Sequence, residues 1–535
     1  MLVLMRPMRV NFLKKLRKLE SLKSSSGDLS SLQLVCVFLY SMHLPDIYYN
    51  FLYIGRLMGK NYDSSNIMSI FTMPFPFIAQ SNSSFLSFIG DFLNIQILFM
   101  SSNINSLLLC CSLIVSIVTF YLKKCSKNIY LVDFACYKPF STSICSKDLF
   151  IETSRCGGHF KDESIDFQKK IMSRSGFGDK TYVPESLLEI PANICTFEAR
   201  KETESVIFGA IDDLLLKTKM KVDDIQIVIT NCCIFNPTPS LSAMVVNHYK
   251  IKHQILSYNL SGMGCSAGLI AIDLAKQLLQ VHPNSYALVV STENINSGWY
   301  LGNNRSMLVS NCLFRVGGAA ILLSNISSDS HRSKYHLKHI VRTHKGSQDN
   351  CYNSILQQED ETNKITGISL SKNLMNAAGF ALKANIMTLG KSVLPLLEQL
   401  KYVSTLLAKK YFNNKMKIYT PDFKSCFEHF CIHTGGKAVQ DEIQKVLGLS
   451  DWQIEPSRMT LYRYGNTSSS SVWYVLAYCE AKGRIRKSDR IWQIAFGSGF
   501  KCNTAVWCAL RNVDPIKEIN PWSDEVQDFP VNVSK

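Results

Sequence analysis

The segment Asn259-Leu-Ser-Gly-Met-Gly-Cys-Ser-Ala-Gly268 sets a cysteine on a glycine-lined turn that runs straight into an apolar stretch over residues 269–280. Within that stretch Asp273, Lys276, Gln277 and Gln280 fall at i, i+3, i+4 and i+7. This spacing predicts a helix with a single polar stripe and an otherwise buried circumference. Cys265 then stands at the start of a buried helix, where the dipole and free N–H groups favour a thiolate, the nucleophilic form of the side chain. The chain holds 18 cysteines, scattered without a CxxC pair in an enzyme-sized sequence, and for the rest a reduced, structural role is the plain reading. The glycine turn sets Cys265 apart as a nucleophile.

A nucleophilic cysteine needs partners, and two later segments offer them. In Phe427-Glu-His-Phe-Cys-Ile-His-Thr-Gly-Gly436 an apolar strand ends at His433 ahead of two glycines, a placement that faces a pocket; His429 in the same run is a weaker candidate. Tyr464-Gly-Asn-Thr-Ser-Ser-Ser-Ser471 puts Asn466 just ahead of a helix, where its plain alternative is a helix cap. His331, His336, His339 and His344 invite a metal reading, with His336-x-x-His339 as a ligand pair. Arg332, Lys334, Lys338, Arg342 and Lys345 are interleaved with them, and those cations would repel a metal, so no metal site is expected. A strand with a basic side facing phosphate fits better, which leaves His344 as a second weak candidate.

The elements that must hold these residues are short β-branched runs alternating with helical segments from residue 130 onward. Residues 225–230, 286–292, 319–323 and 491–496 read as buried strands, and residues 202–217 and 267–280 as helices. That alternation predicts an α/β fold. No internal repeat is legible residue by residue, although strand-helix units fill both halves.

Upstream the pattern is different. Residues 92–122 carry no charge and end in the strongly apolar stretch 104–122, whose 19 residues are long enough to span a bilayer. Lys123, Lys124, Lys127 and Lys138 follow at once and mark that side as cytosolic, and the basic N-terminus asks for the same side. A second, upstream span is therefore required, for which residues 31–45 and 64–90 are the poor candidates. Across the chain, 46% hydrophobic content and 19% charge exclude wholesale disorder, and a net charge of +16 favours an anionic partner. Without zinc-finger spacing or a basic-aromatic stripe, nucleic acid is the weakest such partner.

Taken together, Cys265, His433 and Asn466 in these contexts closely resemble the 3-ketoacyl-CoA synthases, membrane-bound condensing enzymes of very-long-chain fatty acid elongation related to chalcone synthase and 3-oxoacyl-ACP synthase III. Tyr130-Leu-Val-Asp-Phe-Ala-Cys-Tyr-Lys-Pro139, Phe235-Asn-Pro-Thr-Pro-Ser-Leu-Ser242, Arg342-Thr-His-Lys-Gly346, Glu455-Pro-Ser-Arg-Met-Thr460 and Ala495-Phe-Gly-Ser-Gly-Phe500 resemble the family too. The likeness runs from about residue 93 to 507; residues 1 to about 90 depart from the family's usual start, and Tyr462 stands where the family often has histidine.

The resemblance implies a thiolase-like, duplicated five-layered αβαβα core preceded by N-terminal transmembrane helices. Its parts would be a divergent basic segment over residues 1–60, a membrane region over 61–122, a first half with the cysteine over 123–365, a second half with the histidine and asparagine over 366–510, and a tail over 511–535. It implies Cys265, His433 and Asn466 as catalytic residues, and backbone N–H groups of Cys265, Gly497, Ser498 and Gly499 as an oxyanion hole. The implied reaction joins a long-chain acyl-CoA to malonyl-CoA with loss of CO2, needs no cofactor and serves wax, cuticle or seed lipid synthesis. Membrane lipid, a second copy in a homodimer, and the ketoacyl reductase, dehydratase and enoyl reductase of the elongase would be partners. The place would be the endoplasmic reticulum membrane with the catalytic domain cytosolic. A type III polyketide synthase shares the Cys-His-Asn logic but would not need the apolar stretch 104–122. A thiolase would want a second cysteine where Ala495 and Phe496 stand, and a silent scaffold would need none of the three residues.

Overall fold

In the computed structural model the described residues are 127–251, 254–411, 419 and 421–532, with Ser112 and Ser116 upstream, both helical. The chain divides into two compact units, residues 1–121 and 122–535. The expected basic segment and membrane spans lie outside the described residues. Among the described residues, no helix is long and apolar enough to cross a membrane.

In chain order the strands of the second unit are β1 (Tyr130–Cys136), the short pair β2 (Ile144–Cys145) and β3 (Thr181–Tyr182), then β4 (Ile227–Asn231), β5 (Leu256–Leu260), β6 (Tyr286–Thr292), β7 (Gly318–Ser324) and β8 (Tyr335–His344). The hairpin β9 (Ile355–Glu359) and β10 (Thr366–Leu370) follows, and then β11 (His429–Ile432), β12 (Arg490–Gly497) and β13 (Lys501–Ala509). Nine of them form one sheet in the order β11-β12-β13-β8-β1-β7-β6-β4-β5. β4 and β7 are buried along their whole length, as continuous β-branched and aliphatic runs require when both faces are covered.

The strand order carries the duplication that the sequence hides. From β1 outward run β7, β6 and β4, joined antiparallel, antiparallel and parallel; from β8 outward run β13, β12 and β11, joined in the same three senses. β1 and β8 meet antiparallel at the centre through Tyr130–His336 and Leu131–Tyr335. The strand that answers to β1 in the second repeat thus begins at Tyr335.

Helices complete the layers. α1 (Thr196–Thr218) lays Val206, Ile207, Ala210, Ile211 and Leu214 on the outer face of β1, β6 and β7. Each of the Val, Ile and Leu side chains among them contributes roughly 1.5–3 kcal/mol when fully buried. α2 (Ala267–Val281) lies on β4 and β6 and also touches β13 of the other half. On the far side come α3 (Leu374–Val393) against β8 and β13, and α4 (Leu396–Tyr411) after it. α5 (Lys437–Leu447) and α6 (Asp451–Tyr464) lead to α7 (Ser471–Ala481), which touches β11 and β12 and also β1 and β7, with every residue buried. α2 and α7 are therefore the middle layer, each gripped by both halves of the sheet.

A buried ionic cluster ties the halves at their seam. Lys334, fully buried, lies 2.9 Å from Asp133 of β1, 2.9 Å from Glu480 of α7 and 2.6 Å from Glu518. Burial alone would lower the Lys334 pKa, but Glu480, Asp133 and Glu518 hold it above the usual lysine value. Lys217 of α1 adds a second cation 3.0 Å from Asp133. The segment that supplies Glu518 also buries Trp522 completely, so the C-terminal tail is part of the core.

Candidate active site

Cys265 lies in a single 3-10 turn, Gly264–Ser266, that feeds α2. Gly264 adopts φ +67°, and a Cβ there would strike the Ser498 amide nitrogen and reach within 3.0 Å of the Gly497 Cα. In return, a Cβ on Gly497 would lie 2.5 Å from Ser266 Oγ. Only glycine on both sides lets the loop after β12 lie directly against the cysteine turn. The second close approach is Gly268, where a Cβ would stand 2.5 Å from the Ser469 carbonyl oxygen. That gap is what lets the start of α2 nest against the turn before α7.

Asn466 arrives from the other half. α6 starts with a Ser450–Gln453 capping box and ends at Gly465, whose φ of +68° suits glycine. The Asn466 backbone is then held by the first half: its N–H donates to Leu313 O at 3.2 Å and its carbonyl accepts from Arg315 N at 3.0 Å. Its side-chain Oδ1 accepts from Ser468 N at 2.9 Å, which turns the Nδ2 end the other way.

His433 follows the last residue of β11 and is buried. Its backbone N–H continues the ladder to Ile494 O at 2.9 Å, and Thr434 Oγ1 donates to Gly465 O at 2.7 Å, tying this loop to that of Asn466. His433 Nδ1 lies 2.6 Å from Ser471 Oγ. With Ser471 donating, Nε2 carries the proton. Burial lowers the His433 pKa to about 4, so the ring is neutral at physiological pH.

These contacts bring Cys265, His433 and Asn466 to one turn, residues 468–471. The Ser468 hydroxyl acts on the Cys265 sulfur and the Ser468 backbone N–H donates to the Asn466 side chain, while Ser471 hydrogen-bonds His433. Ser468 Oγ also donates to Glu293 Oε2 at 3.0 Å. Glu293, at the end of β6, is buried, and its Oε1 accepts from the backbone N–H groups of Cys233 and Ile234, both at 3.1 Å. Burial raises its pKa, against the pull of those hydrogen bonds.

The electrostatics depart from the sequence expectation in one respect. The helix start was expected to favour a Cys265 thiolate. Instead burial pushes its pKa up to about 12, with Glu293 pushing the same way and the Ser468 hydrogen bond pulling down, although part of the residue still reaches solvent. The resting side chain is a thiol.

Of the weaker candidates, His344 ends β8 beside the glycine loop, its Nε2 3.7 Å from where a Gly499 Cβ would stand. His429 is not brought to the cluster. It occupies the opposite end of β11 from His433, with Nε2 2.9 Å from Asp489 Oδ2. His336 packs against the Tyr130 ring. Among the described residues all cysteines are free, and no group of three or more His, Cys, Asp and Glu side chains gathers in a metal-binding arrangement. Glu293, Ser468 and Ser471 went unread in the sequence; the available signal was an acid closing a β-branched strand and four serines before an apolar helix.

Residues 121–411 match the profile of the FAE1/Type III polyketide synthase-like protein family, and residues 424–508 that of the 3-oxoacyl-[acyl-carrier-protein] synthase III C-terminal family. 3-Ketoacyl-CoA synthase 2 of Arabidopsis thaliana is 58% identical over 91% of this chain and 94% of its own length. The chain belongs to the 3-ketoacyl-CoA synthase family. Arabidopsis 3-ketoacyl-CoA synthase 11 is 60% identical over 81% of this chain and 85% of its own length. A fungal type III polyketide synthase structure superposes with a TM-score of 0.56 at 18% identity, covering 71% of this chain and 99% of that one. The Streptomyces coelicolor tetrahydroxynaphthalene synthase structure gives 0.54 at 19% identity, covering 71% and 99%. The fold is thus the thiolase-like α/β fold of these enzymes, and the 3-ketoacyl-CoA synthase is a condensing acyltransferase of very-long-chain fatty acid elongation.

Proposed function

We propose that Cys265 is the nucleophile, His433 and Asn466 the enolate-stabilising pair, and long-chain acyl-CoA and malonyl-CoA the two substrates. The observation that carries this reading is the convergence of the three side chains, from both halves of the fold, on residues 468–471. Cys265 attacks the acyl-CoA carbonyl, the tetrahedral centre collapses, the carbon–sulfur bond to CoA breaks, and the acyl group stays on the enzyme. The thiol proton has a route: Ser468 bridges Cys265 to Glu293, a buried carboxylate whose raised pKa suits it to take a proton.

Malonyl-CoA then loses CO2, and the bond's electron pair remains as an enolate. His433 Nε2–H and Asn466 Nδ2 are the free ends of side chains whose other ends are occupied, so both can donate to the enolate oxygen. Removing one such donor costs about 2.7–4 kcal/mol in comparable sites. The enolate carbon attacks the Cys265 thioester, the sulfur leaves, and a 3-oxoacyl-CoA two carbons longer is released. Backbone N–H groups of Cys265 and of the Gly497-Ser498-Gly499 loop are the proposed donors to the tetrahedral oxygen, supported by the close packing of those two turns.

The working place is the endoplasmic reticulum membrane, with the catalytic unit cytosolic, a homodimeric state, and the other elongase enzymes as partners; the apolar stretch 104–122 and the lysines after it support the membrane and its sidedness. Membranes from cells expressing the chain, given labelled malonyl-CoA and a ladder of acyl-CoAs, test the reaction. Labelled 3-oxoacyl products from chains of roughly C16 or longer are expected. Condensation of only acetyl-CoA or aromatic starters would favour the polyketide reading instead. Protease treatment of sealed microsomes should digest the catalytic unit, and full protection would reject the sidedness.

A further inference from the structure

The helix α4 is amphipathic with its faces reversed. Leu396, Leu400, Val403, Leu407 and Tyr411 recur at +4, +3, +4 and +4, and all are exposed, by 48% to 70%. At 100° per residue they fall within an arc of about 80°, a stripe ~22 Å long. No residue of the helix is buried. The half-buried side carries Tyr402 and Leu406 together with Glu398, Gln399 and Thr405, whose polar groups are satisfied: Glu398 accepts from Tyr419 OH at 2.7 Å, Gln399 donates to Leu394 O at 2.9 Å and Thr405 accepts from Tyr419 N at 3.1 Å. Polar contacts therefore help anchor the helix to the protein while most of its apolar side chains face outward. Exposed apolar residues scattered singly are ordinary, but a continuous stripe on one face marks an interaction surface.

The charges around the stripe decide its occupant. Over residues 374–411 the sequence has Lys383, Lys391, Lys401, Lys409 and Lys410 against the single acid Glu398, which is held by Lys401 at 3.0 Å. Phe380 and Met387, exposed on α3, share that cationic neighbourhood, and the Lys345 ammonium lies 4.7 Å from the Phe380 ring centroid. A second copy pairing through the same face would bring no opposite charge, since Lys410 borders the stripe while Glu398, Lys401 and Lys409 lie on the other side of the helix. An anionic lipid surface satisfies both features at once, since its acyl boundary takes the leucines and its headgroups take the lysines. We infer that α4 is a membrane-surface docking helix, resting its Leu396–Leu407–Tyr411 stripe in the interface of an anionic bilayer. This contact belongs to the catalytic unit itself and is separate from the proposed apolar span.

The test uses the full chain reconstituted into phosphatidylcholine vesicles, with or without about 30% phosphatidylserine, each carrying a trace of diazirine-bearing phosphatidylcholine. After irradiation, peptide mass spectrometry locates the lipid adducts. The Leu396–Tyr411 peptide should be labelled in the anionic vesicles, and labelling should fall several-fold in neutral vesicles or at about 0.5 M salt. In the double variant Leu400→Asp, Leu407→Asp it should fall about tenfold, while acyl transfer to Cys265 stays at the wild-type rate. If that variant does not fold, Lys391→Glu with Lys410→Glu reads the same loss through charge alone. Absence of adducts on α4 in the wild-type chain would overturn the inference, as would a cross-link between the α4 helices of two copies without lipid label. Adducts on residues 104–122 report the span separately, so the failure of one reading is distinguishable from that of the other.

Discussion

Replacing Ser468 with alanine isolates the hydroxyl that joins the Cys265 thiol to Glu293. Ser468 has φ +54°, so alanine is the fitting replacement, since it keeps the Cβ and leaves the backbone preference nearly unchanged. What is lost is a hydroxyl that at rest donates to the buried Glu293 carboxylate at 3.0 Å and, once the thiol proton has passed to that carboxylate, donates to the negative sulfur. A hydrogen bond to a charged group is worth ~1.5–3 kcal/mol. At about 1.4 kcal/mol per unit, the Cys265 pKa should rise by roughly one to two units. Below that pKa, each unit removes about 90% of the remaining thiolate, so acylation should slow by ~10- to 100-fold at fixed pH. Single-turnover transfer of a labelled acyl group from acyl-CoA, measured from pH 7 to 10, reads this directly, with the adduct assigned to Cys265 by peptide mass. The rate should be depressed throughout and its rise with pH displaced upward. Wild-type acylation rates with an undisplaced profile would refute a role for Ser468 in thiolate formation.

Three further outcomes follow from packing and charge. Gly268→Ala sets a Cβ 2.5 Å from the Ser469 carbonyl; overpacking of ~1–3 kcal/mol should outweigh the ~1 kcal/mol helix preference for alanine, lowering the melting temperature and cutting condensation more than about tenfold. Lys334→Met leaves Asp133, Glu480 and Glu518 with only Lys217 between them, and urea unfolding should show a loss of ~3–5 kcal/mol. His433, neutral when folded with a pKa lowered to about 4, takes up a proton only on unfolding between that value and its ordinary ~6.5, so its contribution is present above pH 6.5 and is lost as pH falls toward 4. The slope of unfolding free energy against pH in that window should drop by about one proton in His433→Asn, and an unchanged slope would contradict a buried neutral ring.

Much of the scaffold was legible because buried strands are uniformly apolar and β-branched. The run at 286–292 is β6 without adjustment, and 225–230 differs from β4 by a residue or two at each end. The duplication was not legible, because it resides in strand order and direction rather than in residue identity. Cys265, His433 and Asn466 announced themselves through the glycines that let loops approach closely. Glu293, Ser468 and Ser471 did not, because their partners are distant in sequence: the Ser468–Glu293 contact joins residues 175 positions apart. His429 and His433 look alike in the sequence, yet four residues along a strand put ~13 Å between them. A helix start acts on Cys265 only through its own dipole and N–H groups, whereas burial, which the sequence does not display, acts against a thiolate there.

The central claim is that Cys265 carries the acyl group while His433 and Asn466 act on the enolate. Mass spectrometry of trapped acyl-enzyme, paired with CO2 release from labelled malonyl-CoA, separates the two steps in Cys265→Ala, His433→Ala and Asn466→Ala. The cysteine variant should form no acyl-enzyme and no condensation product. The other two should still accept an acyl group on Cys265 at least in part, with decarboxylation and condensation falling by ~100-fold or more. Condensation at the wild-type rate by Cys265→Ala, or an acyl group found on another cysteine, would contradict the claim.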